Sequence, residues 1–295
     1  MAQVLTQQHR PNWTLYNADC VDVVRAMPDK SVHLSIYSPP FAEVFVYSAS
    51  ERDMGNCSGD AEFFEHYRYI IGEIYRMTAP GRLTAVHCRD LLDLKRNTGR
   101  AGLRDFPGEI IRAHTDAGWQ FHGRVTVWKD PVTEMQRTKA QGLLYKQLQK
   151  DSTMSRMGCA DFVLFFRRHP EPGEDMEIVP VDHNPSDFPV DRWQEWASPV
   201  WMDIRQGNVL NVAQARTEED EKHMCPLQLD LIERVIRLYS NAGEVVFSPF
   251  AGIGSEGVMA LRTGRRFVGA ELKPEYYHHA CEYLDAEGRQ MDLAL

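Results

Sequence analysis

Two stretches of the chain combine residue types that could do chemistry. The first, Ser38-Pro39-Pro40-Phe41, offers a hydroxyl, the carbonyls of two prolines that have no N–H of their own, and an aromatic ring. A segment so rich in acceptors, with a flat apolar face beside them, suits an aromatic amine carrying two N–H donors. The second runs from Glu244 to Gly257 and sets Gly252, Gly254 and Gly257 between an apolar run and a helix-like one, with Glu271 ending the next apolar run. Glycines there let the main chain turn sharply and approach a ligand, and a carboxylate about 20 residues further on accepts hydrogen bonds from ribose hydroxyls. The spacing points to an adenosine-bearing ligand, and NAD and S-adenosylmethionine both contain that group.

The elements needed to position these residues can be read from apolar periodicity. Trp13 to Tyr16 reads as a strand, Cys20 to Met27 as a helix, and Val32 to Tyr37 as a strand that ends at the Ser-Pro-Pro corner. A helix is expected from Glu62 to Met77 and another from Gly108 to Ala117, with strands at Leu83 to His87, Phe121 to Trp128 and Asp161 to Phe166. The rhythm resumes with a helix from Leu227 to Tyr239, strands at Glu244 to Phe247 and Phe267 to Ala270, and helices before Arg262 and after Pro274. Strands alternating with helices imply a mainly parallel sheet covered on both faces. Residues 168–222, rich in Pro, Asp and Glu and carrying Trp193, Trp196 and Trp201, read as a small irregular insert in a catalytic domain made of 1–167 and 223–295.

Composition narrows the class. With 295 residues, 43% hydrophobic and 25% charged, the chain has the balance of a globular protein rather than a disordered one. Its net charge of −9 excludes nucleic-acid binding through bulk positive charge, although a local basic surface stays open. Lys129 to Gly158 is such a stretch, with six basic residues against three acidic ones. The six cysteines are scattered without a C-x-x-C pair, so neither a zinc site nor a disulfide framework is indicated, and a reducing, cytoplasmic compartment is expected. No apolar run approaches a membrane span. His87, His114 and the pair His278-His279 show no ligand spacing and read as structural or surface residues, and no metal is expected.

At this point the chain resembles the amino-methyltransferases of DNA, in the permuted β class, where a (D/N/S)-P-P-(Y/F/W) catalytic motif precedes an F-x-G-x-G cofactor motif. Ser38 to Phe41 precedes Phe250-Ala251-Gly252-Ile253-Gly254 in the same way, and Asn17-Ala18-Asp19-Cys20 looks like the G-D-C segment beside the cofactor adenine. The resemblance continues through Asp29 to Ile36 and reaches Glu271, which covers most of a catalytic core. It implies a Rossmann-like methyltransferase sheet with S-adenosyl-L-methionine as cofactor and DNA as partner. Ser38, Pro39, Pro40 and Phe41 would then be catalytic, and Asp19, Cys20, Ser248, Phe250, Gly252, Gly254 and Glu271 would hold the cofactor. Serine in the first position implies N4 of cytosine, with N6 of adenine as the alternative. Methylation of RNA or of a glutamine side chain is a nearby rival, since amides also present two N–H donors.

Two departures stand out. Ser248 occupies the place of the family's usual Asp before Pro-Phe, so the carboxylate expected near the methionine ammonium is missing and another acid must serve. His223 to Gln228 replaces the family's H-P-T-Q-K-P lead-in without its Lys or its last Pro. For DNA, Lys129, Arg137 and Lys139 are the candidate phosphate contacts, and the Trp-bearing insert is the candidate target-recognition region. A permuted NAD-dependent oxidoreductase is the rival from another class. It would leave Ser38 to Phe41 without a task, and only 24 residues follow Glu271 to complete such a fold. Monomer and homodimer both stay open.

Overall fold

The computed structural model describes residues 4–40, 60–93, 99, 102–138, 143–170, 178–211 and 226–294. In chain order the first half contains β1 (Val4–Arg10), β2 (Trp13–Ala18), α1 (Cys20–Ala26), β3 (Val32–Tyr37), α2 (Asp60–Met77), β4 (Thr78–Arg89), β5 (Leu91–Asp93), β6 (Gly102–Arg104), α3 (Phe106–Asp116) and β7 (Gln120–Val127). There follow α4 (Pro131–Thr138), α5 (Tyr145–Lys150), β8 (Asp161–Arg167), α6 (Val190–Trp196), β9 (Val200–Trp201), α7 (Leu229–Tyr239), β10 (Val245–Ser248), α8 (Ser255–Arg262), β11 (Arg266–Glu271) and α9 (Pro274–Ala294).

The main sheet has the order β1-β2-β11-β10-β3-β4-β8-β7-β9. Its centre is parallel from β2 through β11, β10 and β3 to β4, as the strand–helix alternation predicts. Each central strand is hydrophobic on both sides. In β8, Val163 and Phe165 enter one core cluster while Leu164 and Phe166 enter the other. Helices α7, α8 and α9 cover the first cluster and α1, α2 and α3 the second, which gives the expected layers on both faces.

Two features were not legible from periodicity. β1 is a polar edge strand paired antiparallel with β2 and largely exposed, so it carries no apolar signal. β8 runs antiparallel to both β4 and β7, and strand direction leaves no trace in a pattern of period two. The direction matters below, because it brings the first residue of β8 to the sheet edge where β3 and β4 end.

The segment read as an insert packs onto the sheet. β9 pairs parallel with β7, and Trp201, Ile204 and Leu210 join the core. The Arg234 guanidinium of α7 lies over both the Trp196 and Trp201 rings, 5.1 and 4.8 Å from their centroids, so these two tryptophans act as packing residues. Trp193 is 54% exposed. Among the described residues, no helix is long and apolar enough to cross a membrane.

Candidate active site

Register places the two predicted stretches side by side. β3 pairs with β10 through Leu34↔Val246 and Ser35↔Phe247, so the corner at Ser38 and the loop at Phe250 leave the same edge of the sheet as neighbours. The rings of Tyr37 and Phe250 meet edge-on with centroids 5.8 Å apart. Ser38, Pro39 and Pro40 follow β3 directly, whereas Phe41 lies outside the described residues.

On the far side of β10, β11 delivers Glu271 to the glycine turn. Its Oε2 accepts the Gly252 N–H at 2.8 Å and its Oε1 accepts the Lys273 N–H at 2.9 Å, so the carboxylate sets the turn's position. Gly254 opens α8 at φ +90°, a left-handed conformation that strains any side chain. Gly257 answers a different need: a Cβ there would stand 2.6 Å from Phe267 and 2.7 Å from Leu284, so the glycine lets α8 lie against β11 and α9.

One strand further, Asn17 at the end of β2 donates to the carbonyls of Glu271 and Leu272 at 2.9 and 3.0 Å. Asp19 then caps α1 by accepting the Val21 N–H at 2.9 Å. Cys20 is buried, and burial followed by the charge of Asp19 pushes its thiol well up, which keeps it protonated and unreactive. The carboxyl ends of β2, β11, β10 and β3 thus present Asp19, Glu271, the Gly252–Gly254 turn and Ser38 along one edge.

Beyond Ser38 the row continues in a way the sequence did not disclose. Tyr37 is registered with Val86, which sets His87 opposite Ser38, and Arg89 is registered with Asp161 because β8 runs backward. Ser38 Oγ lies 2.5 Å from His87 Nδ1, and His87 Nε2 lies 3.1 Å from Asp161 Oδ2. His87, which the spacing analysis treats as structural, is therefore part of the site; its partners are separated too widely in sequence to register as a cluster. Burial by itself raises the Asp161 carboxyl, but the hydrogen bond and charge of His87, then Lys129, outweigh it and hold it well below the usual carboxylate range.

Lys129 differs from its expected role. Its Nζ lies 2.5 Å from Asp161 Oδ2 and its side chain is 7% exposed, so its charge is committed inward and is not presented to phosphate. It follows β7, whose Val127 is registered with Asp161, and that register aims it there. The Arg137 side chain, Lys139 and His223 to Cys225 lie outside the described residues.

Glu256, in the first turn of α8, is a further group that the motif reading missed. It is only 5% exposed, and burial raises its carboxyl to about 8, with a smaller contribution from the nearby Glu271. Ser248, at the position of the missing acid, is fully buried and its Oγ has no hydrogen-bond partner among the described residues. His114, by contrast, is structural as expected: it stacks on Phe166 at 3.9 Å and burial lowers it to about 3.

The comparisons agree with this arrangement. The pattern of the N6/N4 methyltransferase family, described as DNA methylase, matches residues 32–282. The chain is 37% identical over 81 residues to the DNA adenine methyltransferase YhdJ of Escherichia coli (strain K12), covering 27% of this chain and 28% of that protein. It spans about a quarter of the length of the curated relatives it matches at 37 to 42% identity. In fold it is similar to the DNA modification methylase TTHA0409 of Thermus thermophilus complexed with S-adenosyl-L-methionine (TM-score 0.66, 22% identity, 91% of each chain). It is similar also to PvuII DNA methyltransferase (cytosine-N4-specific), with a TM-score of 0.65, 16% identity, and 94% and 92% of the two chains covered. The nicotinamide alternative finds no support in any of these. With the cofactor-type turn and the Ser-Pro-Pro corner on adjacent strands of an α/β sheet, and the family pattern running from β3 into α9, the chain belongs to the DNA methylase family of N6 and N4 methyltransferases.

Proposed function

We propose that the protein transfers a methyl group from S-adenosyl-L-methionine to the exocyclic amino group of a base in DNA, with N4 of cytosine as the target. The observation that carries this reading is the adjacency of Ser38 and the Gly252 turn across the β3–β10 pair.

The residues present fit the cofactor. Glu271 keeps lone pairs for ribose hydroxyls after accepting its two backbone N–H groups, because a carboxylate offers about four acceptor sites. Asp19 and Cys20 line the neighbouring strand end. Glu256 supplies the carboxylate that position 248 lacks, since a buried acid with no cation among its electrostatic causes suits an ammonium group. When bound, S-adenosyl-L-methionine supplies a sulfonium-activated methyl group.

The chain's own task is to hold the amine. Its nitrogen lone pair is delocalised into the ring, so Ser38 Oγ and the Pro39 carbonyl would each take one N–H and turn the lone pair toward the methyl donor. Phe41 would stack on the base, which must leave the duplex at a cost of a few kcal/mol unless the substrate is single-stranded. Target recognition is assigned to residues 168–222, with the exposed Trp193 as its aromatic contact, and phosphate contact to Arg137 and Lys139. A cytoplasmic location goes with this reading.

N6 of adenine is the second reading, favoured by the likeness to the Escherichia coli adenine enzyme. Incubation of unmethylated DNA with methyl-labelled S-adenosyl-L-methionine, followed by nucleoside analysis, separates them. Label in N4-methylcytosine is expected. Label confined to N6-methyladenine reverses the base assignment, and label in RNA or protein with none in DNA removes the substrate class.

A further inference from the structure

The hydrogen-bonded row beginning at Ser38 runs deeper than gripping an amine requires. Behind the 2.5 Å contact of Ser38 Oγ with His87 Nδ1 stands Asp161, 3.1 Å from His87 Nε2 and 2.5 Å from Lys129 Nζ. Arg89 lies 3.9 Å from the other Asp161 oxygen and is itself paired with Glu134. An ionised carboxylate only accepts, so the hydrogen at Nε2 belongs to a neutral imidazole, and Nδ1 is left as an acceptor. The hydrogen between Nδ1 and Ser38 Oγ is then the serine's own. Its longer contact, 3.2 Å to the His87 carbonyl, is a second acceptor for the same hydrogen. With that hydrogen turned inward, the Ser38 oxygen faces the site with lone pairs alone.

We propose that His87, held by Asp161 and Lys129 in the tautomer protonated on Nε2, keeps Ser38 Oγ an acceptor toward the target amine and then receives the proton that the amine sheds. The proposal rests on the amino-methyltransferase reading and adds a proton path to it. After methylation the nitrogen carries two hydrogens and a positive charge. One N–H bond breaks and its hydrogen joins Ser38 Oγ, while the Ser38 O–H bond breaks and its hydrogen joins His87 Nδ1. Serine ends unchanged, the charge has moved to an imidazolium facing Asp161, and no electrons are gained or lost.

Lys129 has a definite part in this arrangement. By sharing the Asp161 carboxylate it weakens the pull of that group on a second imidazole proton before reaction. A His87 already charged would donate from Nδ1 and occupy the Ser38 lone pair that the amine needs. The side chains of His87 and Asp161 are 11% and 5% exposed, so the imidazolium formed after transfer depends on the carboxylate more than on water. His87 is a positioning residue here, because only Ser38 reaches the amine.

The test uses the full chain, plasmid DNA and saturating S-adenosyl-L-methionine. His87→Ala is expected to lower turnover about 100-fold, leave the cofactor dissociation constant within about threefold by calorimetry, and regain about tenfold in activity with free imidazole. The regain should track the unprotonated fraction of imidazole, a dependence that a purely structural role for His87 would not produce. Turnover within about threefold of wild type, or a loss that imidazole leaves untouched, overturns the proposal. Where His87→Ala does not bind cofactor, His87→Gln decides: a loss of about 30-fold with cofactor affinity kept supports the path, and unchanged turnover refutes it. A wild-type protein that methylates no DNA defeats the underlying reading instead, a result distinct from either.

Discussion

The Tyr37 ring meets the Phe250 ring edge-on at 5.8 Å, one residue before the catalytic-type corner and two residues before the glycine turn. The contact ties together the two stretches that would hold the amine and the methyl donor. Since β3 and β10 are directly hydrogen-bonded, the pairing is a consequence of sheet order and needs no loop closure.

Ser38→Ala should remove the acceptor facing the amine and leave the cofactor side intact. Turnover is expected to fall by about 100-fold or more while the cofactor dissociation constant stays within about threefold, measured by single-turnover kinetics and calorimetry. An equal loss in both would assign Ser38 to the fold.

Glu271→Ala deprives the Gly252 and Lys273 N–H groups of their acceptor and the ribose of its partner. Cofactor affinity should drop by about tenfold or more, and the melting temperature should fall as well. An unchanged dissociation constant would exclude Glu271 from cofactor binding.

Glu256 makes stability depend on pH with a definite sign. Its carboxyl is raised from 4.5 to about 8, so the folded state prefers the protonated form. The stabilisation is complete below the unfolded value and is lost as pH rises toward the folded one, by about 2 to 4 kcal/mol. Glu256→Gln should remove that slope in chemical denaturation series between pH 5 and about 8. Saturating S-adenosyl-L-methionine should flatten the wild-type slope if the ammonium meets this carboxylate.

Lys129→Met leaves the buried Asp161 carboxylate with one cationic partner fewer. A destabilisation of about 3 kcal/mol is expected. The salt dependence of DNA affinity should keep its slope, because Lys129 faces Asp161 and not solvent. A slope reduced by about one would restore Lys129 as a phosphate contact.

Gly257→Ala would force a methyl group against Phe267 and Leu284. The expected cost is about 1 to 3 kcal/mol in thermal or denaturant unfolding, the usual range for overpacking a tight contact. Full stability would show that α8 can shift away from β11.

Much of the molecule was legible before any coordinate. The apolar runs marked the central strands and the helices on both faces, because burial on two sides leaves continuous hydrophobic stretches. Local chemistry marked Ser38 to Pro40, the glycine turn and Glu271, because a proline pair and a strand–Gly–helix junction constrain the backbone through short-range sterics alone. The polar edge strand β1 and the packing of Trp196 and Trp201 around Arg234 were not marked. The first lacks an apolar pattern, and the second depends on a partner in a distant helix.

The sequence by itself determined which residues can accept an amine's hydrogens and which can cradle an adenosine, since both follow from residue type and near spacing. Only the tertiary structure decided that His87, Asp161 and Lys129 stand behind Ser38. That grouping is produced by the reversed direction of β8, which carries Asp161 to the edge where β3 and β4 end. Strand direction is settled by how distant chain segments pack, and no local pattern encodes it.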